Sequence, residues 1–142
     1  MDGCIFCSIA MGDAPASVVH RDEHCVAFLD LQPIHPGHLL VVPTRHATHL
    51  ADLAPPDGQH LFAVAQRLAA GLRVTDGIQC EGVNLLLSDG AVAGQEVFHV
   101  HLHVLPRFED DGFRFRVSRQ VVASDRDALD ATALRIRDAL AL

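Results

Sequence analysis

Residues 99–103 read His-Val-His-Leu-His, flanked by Phe98 and Val104. In an extended chain successive side chains point to opposite faces, so the three imidazoles share one face. Each stands roughly 6–7 Å from the next at the usual rise per residue. Phe98, Val100, Leu102 and Val104 then form an apolar opposite face to be buried. A packed core has no use for three histidines so arranged. Imidazole is suited to proton transfer, metal ligation and nucleophilic attack near neutral pH. Two chemistries compete: a metal cage, since H-x-H on a strand presents two imidazoles to zinc, and a histidine nucleophile tuned by its neighbours. The preceding loop, 88–95, carries Gly90 and Gly94. Such a backbone can turn tightly and aim amides at an anion, which points to a phosphate held against an imidazole.

A second chemical pattern is the C-x-x-C pair Cys4 and Cys7. Two thiolates at this spacing commonly supply half of a tetrahedral zinc site, a plain unliganded pair being the alternative. A redox role is disfavoured, because no βαβ pattern follows the pair. Cys25 and Cys80 stand alone and read as small core residues. His20, His24, His35, His49 and His60 have no matching partner spacing and read as surface or turn residues.

The elements that must position these residues follow from pattern. Residues 18–21 and 25–29 read as paired strands turning at Asp22-Glu23, and His38–Val42 as a third strand ended by Pro43. Leu61, Ala65, Leu68 and Leu72 recur at helical spacing and predict a helix over 57–74. Gly82 opens a fourth strand over 83–87, and the histidine strand makes the fifth. Leu129, Ala133, Ile136 and Leu140 predict a C-terminal amphipathic helix capped by Ser124 or Asp125. Strands do not alternate with helices as in repeated βαβ units. The expected class is α+β, an antiparallel sheet of about five strands with helices packed on one side.

At 142 residues the chain is expected to form a single domain, 1–142. A net charge of −7 argues against a nucleic-acid surface but leaves room for a local nucleotide site. No run approaches the roughly 18–20 apolar residues of a membrane span, and no signal peptide is apparent. A soluble, cytoplasmic protein is expected, with no nucleic-acid or membrane partner.

The segment Gly94-Gln95-Glu96-Val97-Phe98-His99-Val100-His101-Leu102-His103-Val104-Leu105-Pro106-Arg107 resembles the histidine triad signature, H-φ-H-φ-H-φ-φ with φ apolar. Upstream, Cys4-Ile5-Phe6-Cys7, Phe28-Leu29-Asp30 and Pro36-Gly37-His38-Leu39-Leu40-Val41-Val42-Pro43 resemble that family's N-terminal half in the same order. The likeness covers residues 3–108 and is nearest the phosphoramidase-like bacterial branch, with 109–142 as a C-terminal extension. It implies nucleotide hydrolysis or transfer at the α-phosphate of a purine nucleotide or nucleotide conjugate. Within the triad His99, His101 and His103, it makes His101 the nucleophile, forming a nucleotidyl-histidine. His103 and His38 would contact phosphate and move protons. Gly94, Gln95, Glu96 and Val97 would hold the phosphate oxygens, Gln95 together with the neighbouring amides. Asp30 would bind the ribose, and Phe6, Ile9, Phe28 and Leu29 the base. Ser88 departs from the Asn or Gln common in the family, and its shorter hydroxyl needs a closer approach or a bridging water. The resemblance also completes the zinc site as Cys4, Cys7, His46 and His99, a structural centre, with no catalytic metal expected. It implies a homodimer as well. Rival readings are a dinucleoside polyphosphate hydrolase, a nucleotide-binding or interaction protein with incidental hydrolysis, and a zinc enzyme caged by the histidine strand.

Overall fold

The computed structural model describes residues 3–140. The elements are α1 (Ile5–Met11), β1 (Val18–Arg21), β2 (Cys25–Leu29), β3 (Leu39–Pro43), α2 (Pro55–Leu72), β4 (Gly82–Leu86), β5 (Leu102–Arg107) and α3 (Arg126–Leu140). The five strands make one sheet in the order β1-β2-β3-β5-β4, every neighbouring pair antiparallel. The α+β class holds.

Two compact units divide the chain at Gly112 and Phe113. In the first, alternation along the strands builds two cores. Cys25, Ala27, Leu39, Val41, Val100 and Val104 pack with Leu61, Val64, Ala65 and Leu72 of α2. Val26, Phe28, Leu40 and Val42 project the other way and pack with Phe6 and Ile9 of α1. The expected single helical side is therefore corrected to two. The central strands are apolar at consecutive positions because both faces are covered. Burial of Leu61 or Leu72 contributes roughly 1.5–3 kcal/mol each.

α1 escapes periodicity because it has only seven residues. It is defined by its ends instead: the Cys4 side chain accepts from the Cys7 amide, and Gly12 closes it at φ 86°. Pro55 and Pro56 start α2, where a missing N–H costs nothing. Gly37, at φ 95°, turns the chain into β3 against Ile78 and Leu72. In the second unit α3 is capped by Asp125, whose Oδ1 accepts from the Ala128 amide at 3.0 Å. Among the described residues no helix is long and apolar enough to cross a membrane.

Candidate active site

The histidine segment is only partly strand. β5 begins at Leu102, so His99 and His101 precede it on bent chain and His103 alone lies on the strand. The β3–β5 ladder reaches only Val41↔Leu102. Pro43 has no N–H with which to extend it. Instead the Val100 amide donates to Ala47 O at 2.8 Å. The alternation survives this departure. Val100, Leu102 and Val104 face the α2 core, whereas the His99 and His101 rings meet Phe6 edge-on at 5.9 and 5.2 Å. Phe98 is the exception to the expected buried face: it is 46% exposed and lies beside His49.

Each histidine is fixed in one tautomer by what it touches, since a carbonyl can only accept and a backbone amide can only donate. His101 Nδ1 donates to His99 O at 2.8 Å, leaving Nε2 with its lone pair. His99 Nε2 donates to Pro43 O at 2.9 Å, leaving Nδ1 as the lone-pair atom. His38 Nδ1 accepts from the Ile34 amide at 3.1 Å, so its proton sits on Nε2 and is donated to His103 Nδ1 at 2.8 Å. The neutral His103 then carries its own proton on Nε2. Burial holds His38 below the usual imidazole range. Burial, reinforced by the neighbouring His101 and His38, lowers His103 to about 4. Both are neutral at physiological pH. Asp30 Oδ2 lies 3.6 Å from His38 Nε2, and its Oδ1 accepts from the Gln32 amide.

Around His99 a second set of donors converges. Its Nδ1 is 3.4 Å from Cys4 Sγ and 3.5 Å from Cys7 Sγ, while His46 Nδ1 is 3.3 Å from Cys7 Sγ. The four ligand atoms lie within 4.8 Å of one another. Nitrogen–sulfur edges of a tetrahedral zinc site are about 3.5 Å at ordinary bond lengths, so the set fits the ion. His99 turns a lone pair inward, and the His46 Nε2 pairs with Thr48 Oγ1 at 3.2 Å, a contact that orients its ring. Cys4 and Cys7, at the N-cap and first turn of α1, lie on one side of the helix. Burial and the adjacent Cys4 raise the Cys7 thiol.

The loop before the triad is braced from within. Gly90 and Gly94 take φ 95° and 97°, where a side chain is strained. Gln95 is buried: its Oε1 accepts from the Gly90 amide, and its Nε2 donates to Thr48 O and Val97 O. The amides of Ala93, Gly94 and Gln95 are likewise spent inside the loop. The Gln95 side chain, expected at the phosphate, thus braces the loop that borders it. Ser88 is half-buried with Oγ beside Gly94. Glu96 is exposed and Val97 half-buried, packed on the α1-side core. Of the four apolar candidates, Phe6, Ile9 and Phe28 are buried together in that core, and Leu29 is 40% exposed.

Partners that local spacing does not show join three of the histidines read as surface or turn residues. His35 is in a turn but buried, its ring against Phe108 and its Nε2 3.2 Å from Asp111 Oδ2. His20 and His60 are half-buried and meet on Asp22. No local spacing signals a meeting between residues forty positions apart.

The chain is similar to known proteins along most of its length. The HIT domain model matches residues 11–110. A HIT-like protein of Methanocaldococcus jannaschii is 43% identical over 109 residues, covering 77% of this chain and 82% of that protein. An adenylylsulfatase of Arabidopsis thaliana is 32% identical over 108 residues, 76% of this chain and 54% of that protein. Among solved structures, a histidine triad nucleotide-binding protein from Candida albicans superposes with a TM-score of 0.84 at 29% identity, covering 98% of each chain. A zinc-bound histidine triad protein from Mycobacterium smegmatis gives 0.75 at 38% identity, covering 96% of this chain and 97% of that one. The alternating histidines, the sheet that carries them and these likenesses together make the chain a member of the HIT, or histidine triad, family.

Proposed function

We propose that the protein is a nucleotide hydrolase or nucleotidyl transferase acting at the α-phosphate of purine nucleoside phosphoramidates or related conjugates. The observation that carries this reading is the His101 tautomer. With Nδ1 donating to His99 O, Nε2 is a neutral nucleophile that needs no deprotonation. In the first step the Nε2 lone pair forms the N–P bond as the bond to the leaving amine breaks, in line with attack. The departing amine takes its proton from solvent, while the Nε2–H of neutral His103, whose ring stands 5.1 Å from that of His101, donates a hydrogen bond to the phosphate. In the second step water attacks phosphorus, loses its proton to solvent and releases the nucleoside monophosphate from His101. Asp30, beside His38, is placed in the role of ribose ligand, and Phe6, Ile9, Phe28 and Leu29 in that of base contacts. Ser88, Gly94, Glu96 and Val97 frame the phosphate side. The nucleotide-binding and adenylylsulfatase descriptions of the two relatives support a nucleotide substrate.

Cys4, Cys7, His46 and His99 are assigned to a structural zinc ion. The zinc-bound mycobacterial relative supports that assignment, and the ion would pin α1 against the triad without entering the reaction. The active form is read as a cytoplasmic homodimer. The direct test is intact-mass analysis during turnover of adenosine phosphoramidate, with site mapping. A nucleotidyl adduct on His101, lost together with activity in His101→Gly, is expected. Undiminished release of nucleoside monophosphate by that variant refutes the mechanism. Preferential turnover of diadenosine polyphosphates would replace the substrate class but retain the nucleophile.

A further inference from the structure

His20, Asp22 and His60 form a polar centre that the reaction above does not use. They come from β1, the β1–β2 turn and α2. The register of β1 against β2 runs Val18↔Phe28 and then His20↔Ala27, so two residues of β1 oppose one of β2. Phe28 belongs to the α1 side and Ala27 to the α2 side. This bulge at Val19 therefore carries His20 off the face of Val18 and turns it toward α2, where His60 stands. Without the extra residue the imidazole would point to the opposite side of the sheet. Asp22 is held as firmly: its Oδ1 accepts the amides of His24 and Cys25, both at 2.8 Å. Its Oδ2 is left to face both imidazoles, with His20 Nε2 and His60 Nε2 each 2.7 Å away. Cys25 Sγ lies beneath, 3.9 Å from the same oxygen, and all four donor atoms fall within 4.8 Å.

We propose that His20 Nε2, Asp22 Oδ2 and His60 Nε2 bind a divalent transition-metal ion of the zinc class, with solvent completing its coordination. Two imidazoles and a carboxylate are a donor set that zinc and its first-row neighbours favour over magnesium or calcium. The present 2.7 Å separations are hydrogen-bond lengths, and an ion at about 2.0–2.1 Å from each donor needs them to open by several tenths of an ångström. The imidazoles are half-buried at the protein surface, so they have room for that movement and the ion has a path in. The neighbouring charges favour a cation. His24, its ring tilted against that of His60 at 5.0 Å, sits between Glu23 at 3.0 Å and Asp57 at 3.7 Å, and Arg45 is tied to Asp57. The site lies across the sheet from α1 and shares no ligand with the Cys4, Cys7, His46 and His99 cluster.

The test counts zinc bound per folded chain by equilibrium dialysis against buffered micromolar free zinc, with metal measured by mass spectrometry. The wild-type protein is expected to bind one equivalent more than His60→Gln, and one more than His20→Gln, whatever the cysteine cluster holds. Both variants should keep the wild-type circular dichroism, and His60→Gln should keep its nucleotide turnover. In Cys4→Ser/Cys7→Ser the extra equivalent should persist, and an additional His60→Gln change should remove it. Equal zinc content in wild type, His60→Gln and His20→Gln would show Asp22 to be only a hydrogen-bond hub and overturn the site.

Discussion

Protonation of His103 should set part of the acid limit of this fold. Its folded-state pKa is lowered to about 4, first by burial and then by the neighbouring His101 and His38. In the unfolded chain a histidine titrates near 6.5. The native state thus binds fewer protons than the unfolded state between these values, and stability falls as pH falls through that window. Between pH 7 and about pH 4.5 the loss from this group works out at roughly 2 kcal/mol after discounting for partial solvent exposure. For a chain of this size that is a drop in Tm of roughly 4–8 °C. The assay is urea unfolding at a series of pH values for wild type and His103→Gln. Loss of the His38 contact offsets the variant by a constant amount, so only the difference in slope reports the titration. The gap between the two proteins should shrink by about 2 kcal/mol on acidification. A gap that is constant with pH would refute the claim that the folded protein keeps this imidazole neutral.

Chelation should lower Tm by roughly 10 °C if the cysteine cluster holds zinc at about a thousand times its Kd, while hydrolysis at lower temperature persists. Loss of activity with an unchanged melting curve would move the metal into the reaction. Gly37→Ala should cost more than about 1 kcal/mol, measured by denaturant midpoint, because φ is 95° and the new Cβ would meet Ile78 Cγ2 at 3.1 Å and Leu72 Cδ2 at 3.2 Å. A neutral change would mean that the turn into β3 relaxes freely.

Much of the fold is legible from local pattern. Leu61, Ala65, Leu68 and Leu72 mark α2 because helical period is a property of neighbouring residues, and the apolar run 39–42 marks β3 for the same reason. α1 was not legible, since two turns give too few repeats, and with it the second covered face was missed. At the site, the residue types at Cys4, Cys7, His46 and His99 suggested the grouping through resemblance, and the fold places their ligand atoms together. Gln95 shows what local pattern omits: its side chain closes the glycine loop on Thr48, forty-seven residues earlier.

The sequence by itself determined which histidines share a face, because period two is written into an extended backbone even where the ladder stops short of His101. It did not determine what each imidazole can do. That depends on which nitrogen is spent, and the partners that spend them are set by tertiary packing: Pro43 O for His99, His103 for His38, and the bend that brings His99 O to His101. The bulge that turns His20 onto Asp22 and His60 is of the same kind. Residue types fix the available chemistry, while tautomer and donor convergence arise from contacts between segments distant along the chain.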